Sequence, residues 1–139
     1  MTLLNGKEYK EKSGKMTILD SNAIIYLSKG LINIDKIILD DEEYAISVIT
    51  YMEVLGYEFE SEEEEKFIHD FFALLQIKYL NSNIVQKVIT LRKEQKIKLP
   101  DAIICATAII EDAQLLTNDI KLKTVKDLKI KNLGNFLKG

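Results

Sequence analysis

The chain has 139 residues, 47% hydrophobic and 29% charged, with a formal net charge of −3. That is enough chain for one core, and it carries no basic footprint for tight non-specific nucleic-acid binding. One cysteine, Cys105, and one histidine, His69, exclude an internal disulfide and a cysteine zinc site, and leave Ser-His-Asp and two-histidine metal chemistry little to work with. No run approaches the ~20 apolar residues of a membrane span, and no charged-then-apolar leader is legible, so the protein is expected to be cytoplasmic.

Residues 1–15 are polar and lysine-rich, with Gly6 and Gly14 as punctuation, and read as a peripheral arm. A single domain is expected over 16–139. Thr17-Ile18-Leu19 reads as a strand that ends at Asp20, with Ser21 or Asn22 capping a helix through Leu27 that Gly30 ends. Ile34 to Leu39 has the spacing of a short helix, and Asp40 to Glu43 is a solvated acidic turn. Tyr44 to Val48 reads as a second strand, and Ile49 to Gly56 as a helix carrying Glu53 among apolar neighbours, a poor setting for a surface charge.

The glutamates of 58–65 start a helix whose apolar face is expected to be Phe67, Ile68, Phe71, Phe72, Leu74 and Leu75. Gln76 to Leu80 alternates as a third strand. Asn81 or Ser82 opens a helix ending in the exposed basic run Arg92 to Lys96. Pro100 then starts a helix that is apolar on every face except at Thr107 and therefore belongs inside the protein. Asp101 falls at or next to its N-cap. Cys105 lies within the run and reads as core, and His69 reads as a surface residue. Gln114 to Thr117 is a fourth strand, Leu122 to Val125 a short helix or turn, Leu128 to Ile130 a fifth strand, and the remainder a tail.

This alternation predicts an α/β fold, a three-layer α/β/α sandwich around a parallel sheet of four to five strands. In such folds the working edge lies beyond the carboxyl ends of the strands. Asp20, Glu53, Asp101 and Asp119 are all expected on that rim. Close carboxylates repel unless they are protonated or bind cations. Oxygen donors alone favour Mg²⁺ or Mn²⁺, which can bind a phosphodiester oxygen and acidify a water.

The residues resemble the PIN-domain family, and within it the VapC-like ribonuclease toxins of bacterial toxin–antitoxin pairs. Four segments carry the resemblance, from Met16 onward: Ile18-Leu19-Asp20-Ser21-Asn22, the helix of Ser47 to Leu55 with Glu53, Pro100-Asp101-Ala102 opening a small apolar helix, and Leu115-Leu116-Thr117-Asn118-Asp119. Lys121-Leu122 stands where the family usually continues with Asp-Phe, one accessory acid fewer. The resemblance implies Asp20, Glu53, Asp101 and Asp119 as metal ligands, directly or through water. Asn22 and Thr117 would support them, although a helix cap and a strand-end turn account for these two equally well. It also implies hydrolysis of RNA by a metal-activated water, a homodimer, and a cognate antitoxin whose tail occupies the acidic groove. Two alternatives are a non-catalytic PIN-like interaction domain and a phosphoacceptor receiver-type domain. The receiver reading lacks its acidic pair at Asp20-Ser21-Asn22 and its acceptor acid at Tyr79-Leu80-Asn81.

Overall fold

The computed structural model describes residues 15–137 in full and the backbone of 2–4 and 7–9. Most of the expected arm lies outside the described residues; within it, β1 (Thr2–Leu4) and β2 (Lys7–Tyr9) pair antiparallel.

The remaining strands form one parallel sheet in the order β5-β4-β3-β6-β7. They are β3 (Met16–Leu19), β4 (Glu43–Ser47), β5 (Gln76–Lys78), β6 (Gln114–Thr117) and β7 (Lys129–Asn132). Parallel neighbours require crossovers, and the helices supply them: α1 (Ser21–Ser28), α2 (Ile34–Ile37), α3 (Val48–Leu55), α4 (Glu62–Phe72), α5 (Ser82–Glu94) and α6 (Leu99–Ile110).

Alternation along the strands splits the core in two. Ile18, Ala45 and Leu115 face one side and pack with α5 and the nearly all-apolar α6. Leu19, Ile46 and Leu116 face the other and pack with α1, α2 and α4. The register holds these layers level, with Ile18 opposite Leu115 and Ala45, and Leu19 opposite Leu116. The three-layer sandwich and five-strand sheet are as the sequence predicts.

The end of the chain differs from expectation. Leu133–Phe136 is a turn of 3-10 helix rather than a tail, Leu133 is fully buried in the second core, and Ile32 bridges to Leu137. Burying Leu133 contributes roughly 1.5–3 kcal/mol, which offsets part of the entropy of ordering the turn. Among the described residues, no helix is long and apolar enough to cross a membrane.

Candidate metal and phosphodiester site

Three of the four acids are placed by strand ends or by helix starts at the carboxyl edge of the sheet. Asp20 directly follows the central strand β3 and is itself the N-cap of α1, its Oδ1 accepting from Ala23 N–H at 3.0 Å. The sequence reading gave that cap to Ser21 or Asn22. An extended Asp20 leaving a strand takes it instead, which locks the carboxylate at the sheet edge. Asp119 follows β6. Its Oδ1 accepts from Lys121 N–H at 3.0 Å and caps the 3-10 turn Ile120–Thr124.

Asp101 lies in the first turn of α6 and is not the cap. Lys98 occupies that place, without a side-chain hydrogen bond, and Leu99 and Pro100 are already helical. Proline lacks only an N–H that the first turn leaves free, so the helix begins before it and Asp101 is its third residue. The macrodipole still favours a carboxylate there.

Glu53 projects from α3 and is exposed, contrary to the expectation drawn from its apolar neighbours. Thr50 and Val54 turn inward, whereas Met52 beside it is 55% exposed, so flanking apolarity does not report burial on this helix. Glu53 is nevertheless tied in: Ser21 Oγ donates to its Oε1 at 2.9 Å.

Asp20, Glu53, Asp101 and Asp119 line one cleft of about 150 Å³, with Ser21, Asn22, Ile104 and Leu122. The four expected acids therefore share a cavity. Among the described residues none of them is in an ion pair. Burial pushes the Asp20 carboxyl above the usual carboxylate range, against hydrogen bonds from Thr117 and from the Ala23 and Asn22 backbone, and the Asp119 charge adds to the rise. Burial also raises Asp101, with Asp119 adding and the Lys98 and Lys121 charges opposing. Beneath them, Cys105 is fully buried and its thiol is pushed up to about 12, first by burial and then by the charges of Asp101, Asp119 and Asp20. It is an inert core residue, as expected.

Thr117 is buried behind the acids. Its hydroxyl accepts from Asp119 N–H at 3.1 Å and hydrogen-bonds the Asp20 carboxylate, so one side chain holds two of the four. Asn22 Nδ2 donates to Asn118 Oδ1 at 3.1 Å, and Asn118 Nδ2 donates to the Tyr26 hydroxyl at 3.1 Å. Ser21, Asn118 and Tyr26 were not singled out as site residues from sequence. Ser21 and Asn118 each adjoin a predicted acid, which was the available signal.

In chemistry the donor set fits a hard divalent cation: oxygen only, four carboxylates, two of them raised by burial and mutual repulsion. As placed, no three acidic, histidine or cysteine side chains among the described residues surround a common point.

A pH prediction follows from the raised groups. Folded-state protons bind Asp20 and Asp101 more tightly than in the unfolded chain. Their contribution is fully present below the unfolded value of 3.8 and is lost as pH rises through the folded values. At neutral pH without divalent ions, Asp101→Asn is therefore expected to raise Tm, with a smaller gain at low pH. A melting series against pH checks this; an equal shift at every pH contradicts it.

The PIN-domain family profile matches residues 17–128. Among solved structures, a toxin–antitoxin complex from Klebsiella pneumoniae is 28% identical at a TM-score of 0.67, the match covering 81% of this chain and 94% of that one. VapBC-1 from nontypeable Haemophilus influenzae is 26% identical at a TM-score of 0.67, covering 86% and 98%. VapBC2 from Rickettsia felis, bound to a promoter DNA fragment, shares the fold at a TM-score of 0.74 and 24% identity, covering 84% and 98%. A comparison with curated proteins gave no match. With its parallel sheet, its rim of acids and a profile match spanning most of its length, the chain belongs to the PIN-domain family, the nuclease family of the VapC-like toxins.

Proposed function

We propose that the protein is a metal-dependent endoribonuclease and the toxin of a type II toxin–antitoxin pair. The observation that carries this reading is the single cleft lined by Asp20, Glu53, Asp101 and Asp119 with no cation paired to any of them among the described residues. Those four carboxylates would hold Mg²⁺ or Mn²⁺, directly or through water. When bound, such an ion supplies a Lewis acid for a phosphodiester oxygen and a water of lowered pKa. Asp20 is fixed by its cap bond and by Thr117, and Thr117 in turn fixes the backbone of Asp119. Asn22, through Asn118 and Tyr26, braces the start of α1. Among the described residues no histidine lines the cleft and Cys105 is a buried, protonated thiol, so neither supplies a nucleophile there.

The antitoxin reading draws on the VapBC and toxin–antitoxin complexes among the similar structures. An unpaired acidic cleft suits a cationic side chain of such a partner. A homodimer belongs to the same proposal.

The test is cleavage of structured and single-stranded RNAs by the purified chain, with Mg²⁺ or Mn²⁺ and with EDTA. Cleavage that needs the ion is expected; cleavage that persists in EDTA overturns the assignment. A second reading, a non-catalytic interaction domain, draws on the unconverged carboxylates and on Lys121-Leu122. Metal binding separates the two without relying on turnover. Millimolar Mn²⁺ is expected to raise Tm by several degrees, since binding to the folded state alone adds about 2.7 kcal/mol at a hundredfold excess over Kd. The gain should vanish in Asp20→Asn. An unchanged Tm in the parent chain supports the interaction domain.

A further inference from the structure

A second, larger groove of about 740 Å³ adjoins the acidic cleft. The two share Asp101, Asp119 and Leu122, so one continues into the other. The larger groove has the opposite charge. Arg92 comes from the last turn of α5, Lys96 and Lys98 from the connection to α6, and Lys121 from the 3-10 turn after β6.

All four side chains are exposed, and among the described residues none is in an ion pair. Lys29, Lys66, Lys78 and Lys129, by contrast, each stand against a carboxylate. A chain of net charge −3 thus gathers four cations along one concavity, against the two carboxylates, Asp101 and Asp119, that it shares with the cleft. Like charges so placed attract an anion between them.

The groove's form narrows the anion. Its volume lies within the roughly 300–1,000 Å³ of ligand clefts, and its inner wall includes Ile97 and buried Leu122. Its cations stand on two walls, one from the α5–α6 connection and one from the turn after β6. A linear polyanion threaded between these walls meets both, whereas a single small anion leaves most of the cations unused. Its lining includes no aromatic side chain, so it has no platform for stacking bases.

We propose that this groove holds the sugar–phosphate backbone of one RNA strand and leads it past Lys98 and Lys121 to the acids. This rests on the ribonuclease reading above. Arg92, Lys96, Lys98 and Lys121 are positioning residues that act on phosphates, so their contribution is independent of base sequence. The strand approaches from the α5–α6 side, where the cations are.

The probe is a 5′-labelled single-stranded RNA, with binding followed by fluorescence anisotropy on the full chain in EDTA, across a range of salt. A strand that neutralises four cations gives log Kd a salt slope of about 2.8 in magnitude, from roughly 0.7 per cation. Lys98→Glu with Lys121→Glu is expected to weaken binding at least about tenfold and to cut the slope to about 1.4. The same loss should appear in KM of the metal-loaded protein, with kcat changed less. Lys36→Glu with Lys66→Glu makes the same change in net charge on the other face of the sheet, where Ile37 and Ile68 pack, and should leave both readings unchanged.

Equal losses from the two pairs overturn the groove, because net charge alone would then explain them. So does a groove pair that binds RNA like the parent, or a polyglutamate peptide that binds the groove more tightly than RNA does. RNA bound in the groove but never cut, with any metal, defeats the ribonuclease reading alone. Cleavage indifferent to the groove pair defeats the groove alone.

Discussion

Asp20→Asn is expected to lower metal-dependent RNA cleavage by about 10²–10³-fold while the chain stays folded and still binds RNA. Asparagine keeps the shape and keeps an oxygen to accept from Ala23 N–H, so the cap of α1 survives. What it loses is the charge, and with it one of the four carboxylates proposed to hold the ion. Stability moves little because two effects oppose. Removing a carboxylate whose ionised form burial disfavours is a gain at neutral pH. Losing an acceptor for the Thr117 hydroxyl is a cost of about 1 kcal/mol. Cleavage assays, melting curves and RNA anisotropy on the same preparation check the three parts together. Retained cleavage removes Asp20 from the proposed chemistry; lost cleavage with a large fall in Tm reduces the residue to a cap.

What was legible in the sequence, and what was not, divides along a physical line. Short apolar runs ending in acids located β3 and β6, because a buried parallel strand is marked by composition alone. Strand ends then placed Asp20 and Asp119 on one edge without any knowledge of side-chain contacts. Glu53 was harder: helix α3 lies at the sheet's edge, and which of its apolar-flanked positions faces solvent depends on what packs beneath it. The start of α6 was misjudged by one turn position because the residue before a proline usually avoids helical backbone, yet Leu99 adopts it. The basic groove was half visible. Arg92 to Lys96 reads as an exposed helix end, but only the fold brings Lys121, far along the chain, to the same concavity. Leu133 reads as tail from the sequence because a glycine follows it directly and the apolar stretch around it is too short to establish an element.

Leu116→Ala is expected to do the reverse of Asp20→Asn: to cost about 2–5 kcal/mol of folding stability, a Tm fall of roughly 8–20 °C, while each folded molecule keeps its cleavage rate within a few-fold. Leu116 is fully buried, pairs in register with Leu19, and points into the core shared with α1 and α4. The lost methyl groups leave a cavity between the sheet and the helix that Asp20 caps, and close-packed neighbours fill it only in part. Against a typical total of about 5–15 kcal/mol the loss is large. Yet the site is tied by bonds that this substitution leaves in place: Asp20 N–H to the Leu116 carbonyl at 3.2 Å, Asp119 N–H to Thr117, and Asp20 to Thr117. These fix the carboxylates through backbone and hydroxyl rather than through the leucine side chain. Denaturant melts of the variant, with cleavage assayed well below its midpoint, check both halves. A rate that falls in step with stability would mean that the acids are positioned by core packing, and that Thr117 and the backbone of β6 are not sufficient to hold them.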